Sequence, residues 1–317
     1  MAARPLNSTA GKGTFSVVVV GSSNTDMIIR VPRVPKAGET LLGGEFSTAP
    51  GGKGANQAVA AARSGGRVAF IARLGRDSLG DEAMEGFRKE GMLLSHVVRD
   101  STHPSGVALI FVGSDGENSI AVAGGANQEL SKGDVAAARG LITRARILLL
   151  QLETPLPAVA AAARLARRAG VEVILNPAPA CPLPDALLRD VSLLTPNETE
   201  ASLLTGCRVS SITSAAKAAR ILQMRGVGTV IITLGARGAL VATRERAQIV
   251  PGFRVKAVDT TAAGDVFNGA LAVRLAEGFP LIEAVRFAHA AAAISVTRQG
   301  AQPSIPTRRE ILAMLRS

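Results

Sequence analysis

The sequence predicts an α/β protein built on a parallel sheet with helices on both faces, together with a small separate β-sheet. Two observations carry this prediction. Short apolar runs alternate along the chain with longer Ala- and Leu-rich segments, and such strand–helix alternation is typical of parallel sheets. Around residues 27–48 and 106–123 the pattern changes to short β-like segments separated by turn residues, which indicates a second, smaller sheet.

The first strand is predicted at the unbroken β-branched run Val17–Val20, because such runs are typical of strands buried on both faces. Further strands of the main sheet are predicted at residues 67–72, 147–151, 171–175, 191–194 and 229–233. Helices are predicted at residues 54–64, 79–90, 157–169, 197–204, 215–225, 264–277 and 281–296. Ligands of such sheets bind beyond the carboxyl ends of the strands, so we expect the functional residues there.

The small sheet is predicted from segments that lie apart from this alternation. They fall at residues 28–31, 39–42, 45–47, 107–112 and 119–122. The last two are joined by a stretch containing Asp115-Gly116, a dipeptide that signals a hairpin turn.

Composition excludes several classes of protein. The 317 residues carry a formal net charge of +11, but the basic residues are scattered and Trp and Tyr are absent, so we expect no nucleic-acid partner. No apolar run approaches the roughly 18 residues of a membrane span. With three histidines, and two cysteines that lack metal-ligand spacing, a zinc site is not expected.

The N-terminal region is polar and rich in small residues. Residues 1–14 contain no apolar segment of the kind found in secretory signals. We therefore expect a disordered extension over residues 1–15 and a cytoplasmic protein with reduced thiols.

A glycine-rich stretch, Gly51-Gly52-Lys53-Gly54, directly precedes a predicted helix. Glycines let a backbone approach a ligand closely, and the first N–H groups of a helix lack partners within it. Asn56 offers both donors and an acceptor, which suits a sugar hydroxyl. The spacing is not that of a Walker A loop, and a plain tight turn is the alternative interpretation.

A second stretch, residues 258–270, carries a predicted strand end into a helix through small residues. The N–H groups of Ala262, Ala263 and Gly264 are expected to point to one spot at the positive end of the helix dipole, as an anion hole for transferring phosphoryl oxygens. Asp265 lies in the first turn. It is predicted to be a general base for an attacking hydroxyl, with a helix cap as the alternative.

Other polar residues follow the ends of predicted strands. Each alone could be a cap or a solvated charge, but several together mark the functional rim of such a sheet. They are Asn24, Asp26, Glu153, Asn197 and Glu200. A third glycine-rich turn, at residues 233–238, is either a plain hairpin turn or a turn laid against a nucleotide.

Taken together, the motifs identify a family. From about residue 17 to about residue 315 the chain resembles the ribokinase-like (PfkB) carbohydrate kinases. The resemblance rests on blocks of sequence at residues 51–60, 106–112, 151–153, 175–180, 195–200, 262–265 and 287–293. It implies a three-layer α/β/α sandwich with a mainly parallel central sheet and a small β-sheet lid.

The resemblance further implies transfer of the γ-phosphoryl group of ATP to O5 of D-ribose, with Asp265 as the base and the amides of Ala262, Ala263 and Gly264 as the anion hole. The implied sugar contacts are Asn24, Asp26, Gly52, Lys53, Asn56, Glu153 and Asp265. The implied nucleotide-side residues are Asn197, Glu200, Thr233, Gly235, Gly238, Gly264 and His289. Asn197 and Glu200 match an Asn-x-x-Glu motif that organises Mg²⁺ and phosphate through water.

A monovalent cation, usually K⁺, activates members of this family. The resemblance places it at Asp259, Thr261, Ser295, Arg298, Gly300 and Ser304, several of them through backbone carbonyls. It also implies one kinase domain over residues 16–317, with lid strands at about residues 26–50 and 106–123. The lid of one subunit is expected to pair with that of another, giving a homodimer.

Three alternatives remain open at this point. A related kinase could act on deoxyribose, a nucleoside or another sugar. A dinucleotide-binding oxidoreductase is disfavoured because the chain lacks a G-x-G-x-x-G motif followed by an acidic residue. A catalytically idle sugar-binding protein is disfavoured by the intact Asp265 and the small residues before it.

Overall fold

The computed structural model describes residues 16–114 and 118–316. The predicted N-terminal extension and the predicted Asp115-Gly116 turn lie outside these residues. Within them the strands are β1 (Val17–Val20), β2 (Asn24–Val31), β3 (Glu45–Gly51), β4 (Val68–Gly75), β5 (Leu93–Asp100), β6 (Gly106–Gly113), β7 (Asn118–Ala123), β8 (Ile147–Leu150), β9 (Glu172–Leu175), β10 (Leu193–Leu194), β11 (Thr229–Thr233), β12 (Ala239–Ala242) and β13 (Ala247–Val250).

Helices connect and cover these strands. In the same described residues they are α1 (Lys53–Arg63), α2 (Ser78–Lys89), α3 (Lys132–Ala137), α4 (Arg139–Ile142), α5 (Leu156–Arg168), α6 (Asp185–Asp190), α7 (Glu198–Thr205), α8 (Ile212–Met224), α9 (Ala263–Ala276), α10 (Leu281–Ser295) and α11 (Arg308–Met314). No helix in this part of the chain has the length and apolarity that crossing a membrane requires.

Nine of the described strands form the main sheet, in the order β13-β12-β11-β10-β9-β8-β1-β4-β5. Every neighbouring pair from β11 to β5 is parallel. The pairs β11–β12 and β12–β13 are antiparallel. The carboxyl ends of the parallel strands therefore meet along one edge, where such sheets bind ligands.

Both faces of this sheet are covered, as the β-branched run in β1 predicts. Val17 and Val19 belong to one apolar cluster, with residues of α1, α9 and α10, whereas Val18 and Val20 belong to another, with residues of α5 and α8. Alternate residues of a strand point to opposite faces, so the two clusters lie on opposite sides of the sheet. The predicted three-layer sandwich is confirmed.

A second, four-stranded sheet has the order β3-β2-β6-β7. Its central pair, β2–β6, is parallel, and the two outer pairs are antiparallel. Three residues, 21–23, separate β1 of the main sheet from β2 of the small sheet. The chain therefore passes directly from the carboxyl end of a central strand into the small sheet.

The predicted strand at residues 39–42 is wrong, because these residues form no strand. Gly38, Gly43 and Gly44 have positive φ values of 79°, 88° and 140°, which interrupt an extended backbone on both sides of the segment. The Glu39 side chain folds back to accept the Lys36 amide at 3.0 Å and also bonds Arg33. Local turns thus replace sheet pairing.

Candidate active site

The Asp265 carboxylate is buried where α9 begins against α1, with 6% of the residue exposed. Its Oδ2 accepts Asn56 Nδ2 at 3.1 Å, and its Oδ1 accepts Gln57 Nε2 at 2.9 Å. Gly269 permits the close contact of the two helices, because a Cβ there would lie 2.5 Å from the Gln57 carbonyl oxygen. The N-cap of α9 is Ala262, and among the described residues neither Asp265 oxygen accepts a backbone amide of α9, so the helix-cap interpretation of Asp265 is wrong.

The start of α1 lies against the connection between β1 and β2. A Cβ on Gly54 would come within 2.5 Å of the Ser22 nitrogen, so the glycine is required for this approach. Glu153 Oε2 accepts the Lys53 backbone amide at 2.9 Å and the Ser22 hydroxyl at 2.5 Å. One carboxylate after β8 therefore ties together the glycine-rich stretch and the end of β1.

Asn24 is held by a residue that the sequence did not single out. Asn127 Nδ2 donates to Asn24 Oδ1 at 2.8 Å and to the Ser23 carbonyl at 3.0 Å, and Asn127 Oδ1 accepts the Ser23 amide at 2.9 Å. These bonds occupy Asn24 Oδ1 and leave its NH₂ group to donate elsewhere. Gly52, with φ 86°, lies close by, since a Cβ there would be 2.6 Å from the Asn24 nitrogen.

Lys53 lies among four carboxylates. Burial by itself would lower its pKa, but Asp265, Glu153, Glu200 and Asp26 together raise it. The pKa of Asp26 is raised to about 6 by burial and by Glu153, against the opposing effect of Lys53. Burial also raises the pKa of Asp265 and of Glu200, again against Lys53. The structure thus brings the charged residues predicted on the sugar side close enough to shift one another's pKa values.

The predicted anion-hole residues form the turn into α9. Ala262 has φ 59°, a left-handed conformation that is uncommon for a residue other than glycine. Its amide and that of Gly264 donate to no other residue of the described chain, whereas the Ala263 amide makes a long 3.3 Å bond to the Thr260 carbonyl. Free N–H groups at a helix start are available to an anion.

Asn197 and Glu200 form a reciprocal capping box at the start of α7. Asn197 Oδ1 accepts the Glu200 amide and Glu200 Oε2 accepts the Asn197 amide, both at 2.8 Å. Asn197 also pairs as an isolated bridge with Thr233, which places the two predicted nucleotide-side segments side by side. Gly235 and Gly238 have φ values of 58° and 93° in the turn between β11 and β12, so this stretch is a hairpin turn.

His289 lies in α10, with its ring centroid 5.1 Å from that of Phe267 on α9. Burial lowers its pKa to about 4, so the ring is neutral at neutral pH. Its Nε2 is buried and has no hydrogen-bond partner among the described residues. The structure therefore agrees with a core position for His289.

Three of the six predicted cation-site residues meet where two loops approach each other. Asp259 Oδ1 accepts the Thr261 amide at 2.9 Å and its hydroxyl at 2.6 Å, and Oδ2 accepts the Gly300 amide at 2.9 Å. Burial would raise the pKa of Asp259, but these hydrogen bonds lower it overall. An ionised carboxylate at this point holds the turn before α9 against the segment after α10.

The remaining predicted cation-site residues have partners of their own. The Arg298 guanidinium bonds Glu310 at 2.5 Å, so only its backbone could face a cation. The hydroxyls of Ser295 and Ser304 donate to backbone carbonyls at 2.8 and 2.7 Å. Across residues 16–114 and 118–316, no group of three His, Cys, Asp or Glu side chains could hold a metal ion.

A buried polar network behind Asp265 was missed by the sequence analysis. Gln57 connects Asp265 to Gln151 after β8 and to Asn176 after β9. Asn176 Nδ2 continues to the Thr195 carbonyl, and the Thr195 hydroxyl bonds Asn268. A sequence signal existed, since Gln151 and Asn176 follow the ends of successive strands, but of the amides at strand ends only Asn24 and Asn197 were singled out.

The fold and the arrangement around Asp265 define a class of enzyme, the small-molecule kinases that present a buried carboxylate beside free helix-start amides. Residues 14–308 match the model of the pfkB family carbohydrate kinases, and the chain belongs to this family. It is accordingly an ATP-dependent carbohydrate kinase, and the predicted resemblance is confirmed.

Individual relatives cover nearly the whole chain. The chain is 50% identical over 300 residues to a ribokinase of Haemophilus influenzae, covering 95% of this chain and 98% of that protein. It is 38% identical to a deoxyribokinase of Salmonella typhi, covering 92% and 96%. The solved structure of Arabidopsis thaliana ribokinase complexed with ribose and ATP superposes with a TM-score of 0.89 at 35% identity, covering 96% of this chain and 100% of that one.

Proposed function

We propose that this enzyme phosphorylates D-ribose at O5 with ATP, giving D-ribose 5-phosphate and ADP. The observation that carries the proposal is the Asn56–Asp265 pair. Asn56 donates to Asp265, while the Asn56 Oδ1 atom is buried without a partner among the described residues. An unpaired buried acceptor is costly, and a sugar hydroxyl bound beside Asp265 would satisfy it.

The proposed chemistry is in-line phosphoryl transfer. Asp265 takes the proton of the 5-hydroxyl as O5 bonds the γ-phosphorus, and the bond from that phosphorus to the bridging oxygen of ADP breaks. The free amides of Ala262 and Gly264, with Ala263 between them, would stabilise the charge on the transferring phosphoryl oxygens. Lys53, amid four carboxylates, would balance negative charge on the sugar side.

The sugar contacts proposed here surround this centre. Asn24 and Asp26 come from the small sheet, Gly52, Lys53 and Asn56 from the start of α1, and Glu153 from the end of β8. The NH₂ group of Asn24 and the carboxylate of Asp26 would hold ring hydroxyls, which supports a polyhydroxylated pentose. The small sheet would then act as the lid that excludes water from the reaction.

On the nucleotide side we propose Asn197, Glu200, the turn from Thr233 to Gly238 and the free ring nitrogen of His289. Both Glu200 oxygens already bond Asn197, so this pair fits an ion held through water better than one bound directly. Mg²⁺ usually keeps several waters, and when bound with ATP it would neutralise phosphate charge. The proposed Mg²⁺ would therefore be held mainly by ATP and water.

For the activating monovalent cation we propose the pocket around Asp259. Its ionised carboxylate and the neighbouring backbone carbonyls are hard oxygen donors, which suit K⁺. Thr261 lies directly before the anion-hole residues in sequence, so a cation here would steady the turn that presents their amides. The contributing residues would be Asp259, Thr261, Ser295, Arg298, Gly300 and Ser304, the arginine through its backbone alone.

The small sheet also supports the proposed homodimer. Phe46 and Leu109 on one face of the sheet, and Ile120 and Val122 on the other, are each about half exposed or more, and exposed apolar side chains in this number indicate a contact surface. The same sheet in a second copy offers an equivalent apolar surface. Size-exclusion chromatography with light scattering would test the dimer, which Phe46→Glu is expected to disrupt.

One alternative has a specific observation in its favour, namely the 38% identity to a deoxyribokinase. 2-Deoxyribose lacks a single hydroxyl, and Asp26 would lose a partner with that sugar. A coupled ADP-release assay over ribose, 2-deoxyribose, fructose 6-phosphate and adenosine, with K⁺ or with Na⁺, separates the possibilities. Ribose-dependent, K⁺-stimulated turnover is expected; turnover with another acceptor and none with ribose would overturn the proposal.

A further inference from the structure

Gln57 occupies the centre of the buried network that reaches Asp265. It is fully buried, with 0% of the residue exposed. Its Nε2 donates to Asp265 Oδ1 at 2.9 Å and to Asn176 Oδ1 at 3.1 Å, and its Oε1 accepts Gln151 Nε2 at 2.6 Å. Both N–H donors and the oxygen of the Gln57 side-chain amide are therefore engaged. The partners lie in α9, directly after β8 and directly after β9.

The direction of these bonds is determined by the groups at the ends of the network. A backbone carbonyl only accepts, so Asn176 must direct its NH₂ to the Thr195 carbonyl, 3.1 Å away, and its oxygen to Gln57. An ionised carboxylate likewise only accepts, so the NH₂ of Gln57 faces Asp265. Gln151 donates to the remaining oxygen of Gln57, which leaves the amide a single orientation.

The two oxygens of Asp265 are consequently not equivalent. Oδ1 faces the buried network through Gln57, whereas Oδ2 faces Asn56, whose unpaired Oδ1 marks the ligand side. Fixing one oxygen in the interior fixes the direction of the other. A base held in this way needs little reorganisation when the acceptor hydroxyl arrives.

We propose that Gln57 is a positioning residue which, braced by Gln151 and Asn176, fixes the Asp265 carboxylate so that Oδ2 faces the acceptor hydroxyl. The inference deepens the proposed function and rests on Asp265 being the base. It assigns a role in the reaction to an uncharged residue that touches neither substrate in the proposed arrangement.

The electrostatic surroundings support this role. Burial raises the pKa of Asp265, and the hydrogen bonds from Gln57 and Asn56 act against burial. The charged groups that act on Asp265 are Lys53 on α1, which lowers its pKa, and Glu153 after β8, which raises it. Asp265 in turn acts on Asp26 of β2 and Glu200 of α7. Loss of the Gln57 bond would therefore raise the pKa of Asp265 further.

The test compares Gln57→Leu, which keeps the volume and removes the amide, with wild type. We expect kcat to fall on the order of 10- to 100-fold, the sugar KM to change much less, and the acidic limb of the kcat–pH profile to move to higher pH. Gln223→Leu is the matched control, because Gln223 is a partly buried glutamine of α8 whose side chain bonds only the Ala242 carbonyl at the end of β12. That variant should leave both readouts unchanged.

A folded Gln57→Leu enzyme with wild-type kcat and an unmoved acidic limb would overturn the inference. Should that variant not fold, Gln151→Leu is the substitute test, because it removes only the bond that orients Gln57. A smaller shift of the acidic limb of the kcat–pH profile in Gln151→Leu supports the role of Gln57. No shift of that limb contradicts it. Asp265→Asn, measured in parallel, separates the two proposals. An active Asp265→Asn enzyme defeats the proposed role of Asp265 as the base, on which this inference rests, whereas an inactive one beside an unaffected Gln57→Leu defeats this inference alone.

Discussion

Asn56 Nδ2 donates a 3.1 Å hydrogen bond to Asp265 Oδ2, which joins residues 209 positions apart in the chain. The bond links the first turns of α1 and α9, the two helices that begin at the glycine-rich stretch and at the anion-hole turn. The sugar side and the phosphoryl side of the proposed reaction therefore meet at one pair of side chains.

Asn127 should control sugar affinity without touching the phosphoryl group. It is buried, and it orients Asn24 through three bonds to Ser23 and Asn24. Asn127→Ala would release Asn24 from its single orientation. We expect the ribose KM to rise about tenfold, which corresponds to a loss of about 1.4 kcal/mol of binding free energy. Steady-state kinetics should show a kcat changed by much less; an unchanged KM would contradict the assignment of Asn24 to the sugar.

Gly54 should be intolerant of a side chain. An added Cβ would lie 2.5 Å from the Ser22 nitrogen and 2.6 Å from the Gly21 carbonyl carbon, both backbone atoms that cannot move aside cheaply. We expect Gly54→Ala to lower the free energy of unfolding by about 1–3 kcal/mol in urea titrations.

The matched control for this substitution is Gly86→Ala. Gly86 lies within α2, and an added Cβ there would meet nothing within 4 Å. Alanine should stabilise this helix by about 0.5–1 kcal/mol. Equal effects at the two glycines would show that the close approach of α1 to the end of β1 is not as described.

Asp26 should make stability depend on pH. Its pKa is raised from 3.8 to about 6, so the folded state binds the proton more tightly than the unfolded state. The stability that this proton contributes is fully present below about pH 4 and is lost as the pH rises through about 6. Asp26→Asn removes the dependence, so the variant should gain stability over wild type as the pH increases from 4 to 7.5.

Since one pKa unit corresponds to about 1.4 kcal/mol, the gain at pH 7.5 should not exceed about 3 kcal/mol. Urea unfolding at several pH values measures it. Glu82→Gln is a control, because Glu82 is exposed on α2 and has no ion pair within the described part of the chain. A difference between Asp26→Asn and wild type that is the same at pH 4 and pH 7.5 would contradict the raised pKa.

Six of the nine described strands of the main sheet were predicted from the sequence, because their signals are local. The β-branched run in β1 and the Ala-rich helices carry their burial pattern in consecutive residues, and the structure confirms both. The strand β5 gave no such signal, since Ser95, His96 and Arg99 interrupt its apolar pattern. At residues 39–42 the opposite occurs. An apolar pair predicts a strand there, but the neighbouring glycines with positive φ interrupt the extended backbone, and no strand forms.

The site was predictable only in part, for a similar reason. Glycine motifs and acidic residues at strand ends are visible in the sequence, and the structure brings those around Asp265 together. Gln57 and Asn127 were missed because their partners are 208 and 103 positions away. An amide that orients another side chain has no spacing rule, so only the packing of distant elements reveals it.

The most direct test of the account is ribose-dependent ADP release by wild type and Asp265→Asn, measured side by side at saturating Mg²⁺-ATP, ribose and K⁺. The substitution preserves the size of the side chain and removes the base. We predict that wild type forms ribose 5-phosphate and that the variant turns over on the order of 10²–10⁴ times more slowly while still binding ribose. Equal turnover by the two proteins would contradict the role of Asp265 and, with it, the proposed mechanism.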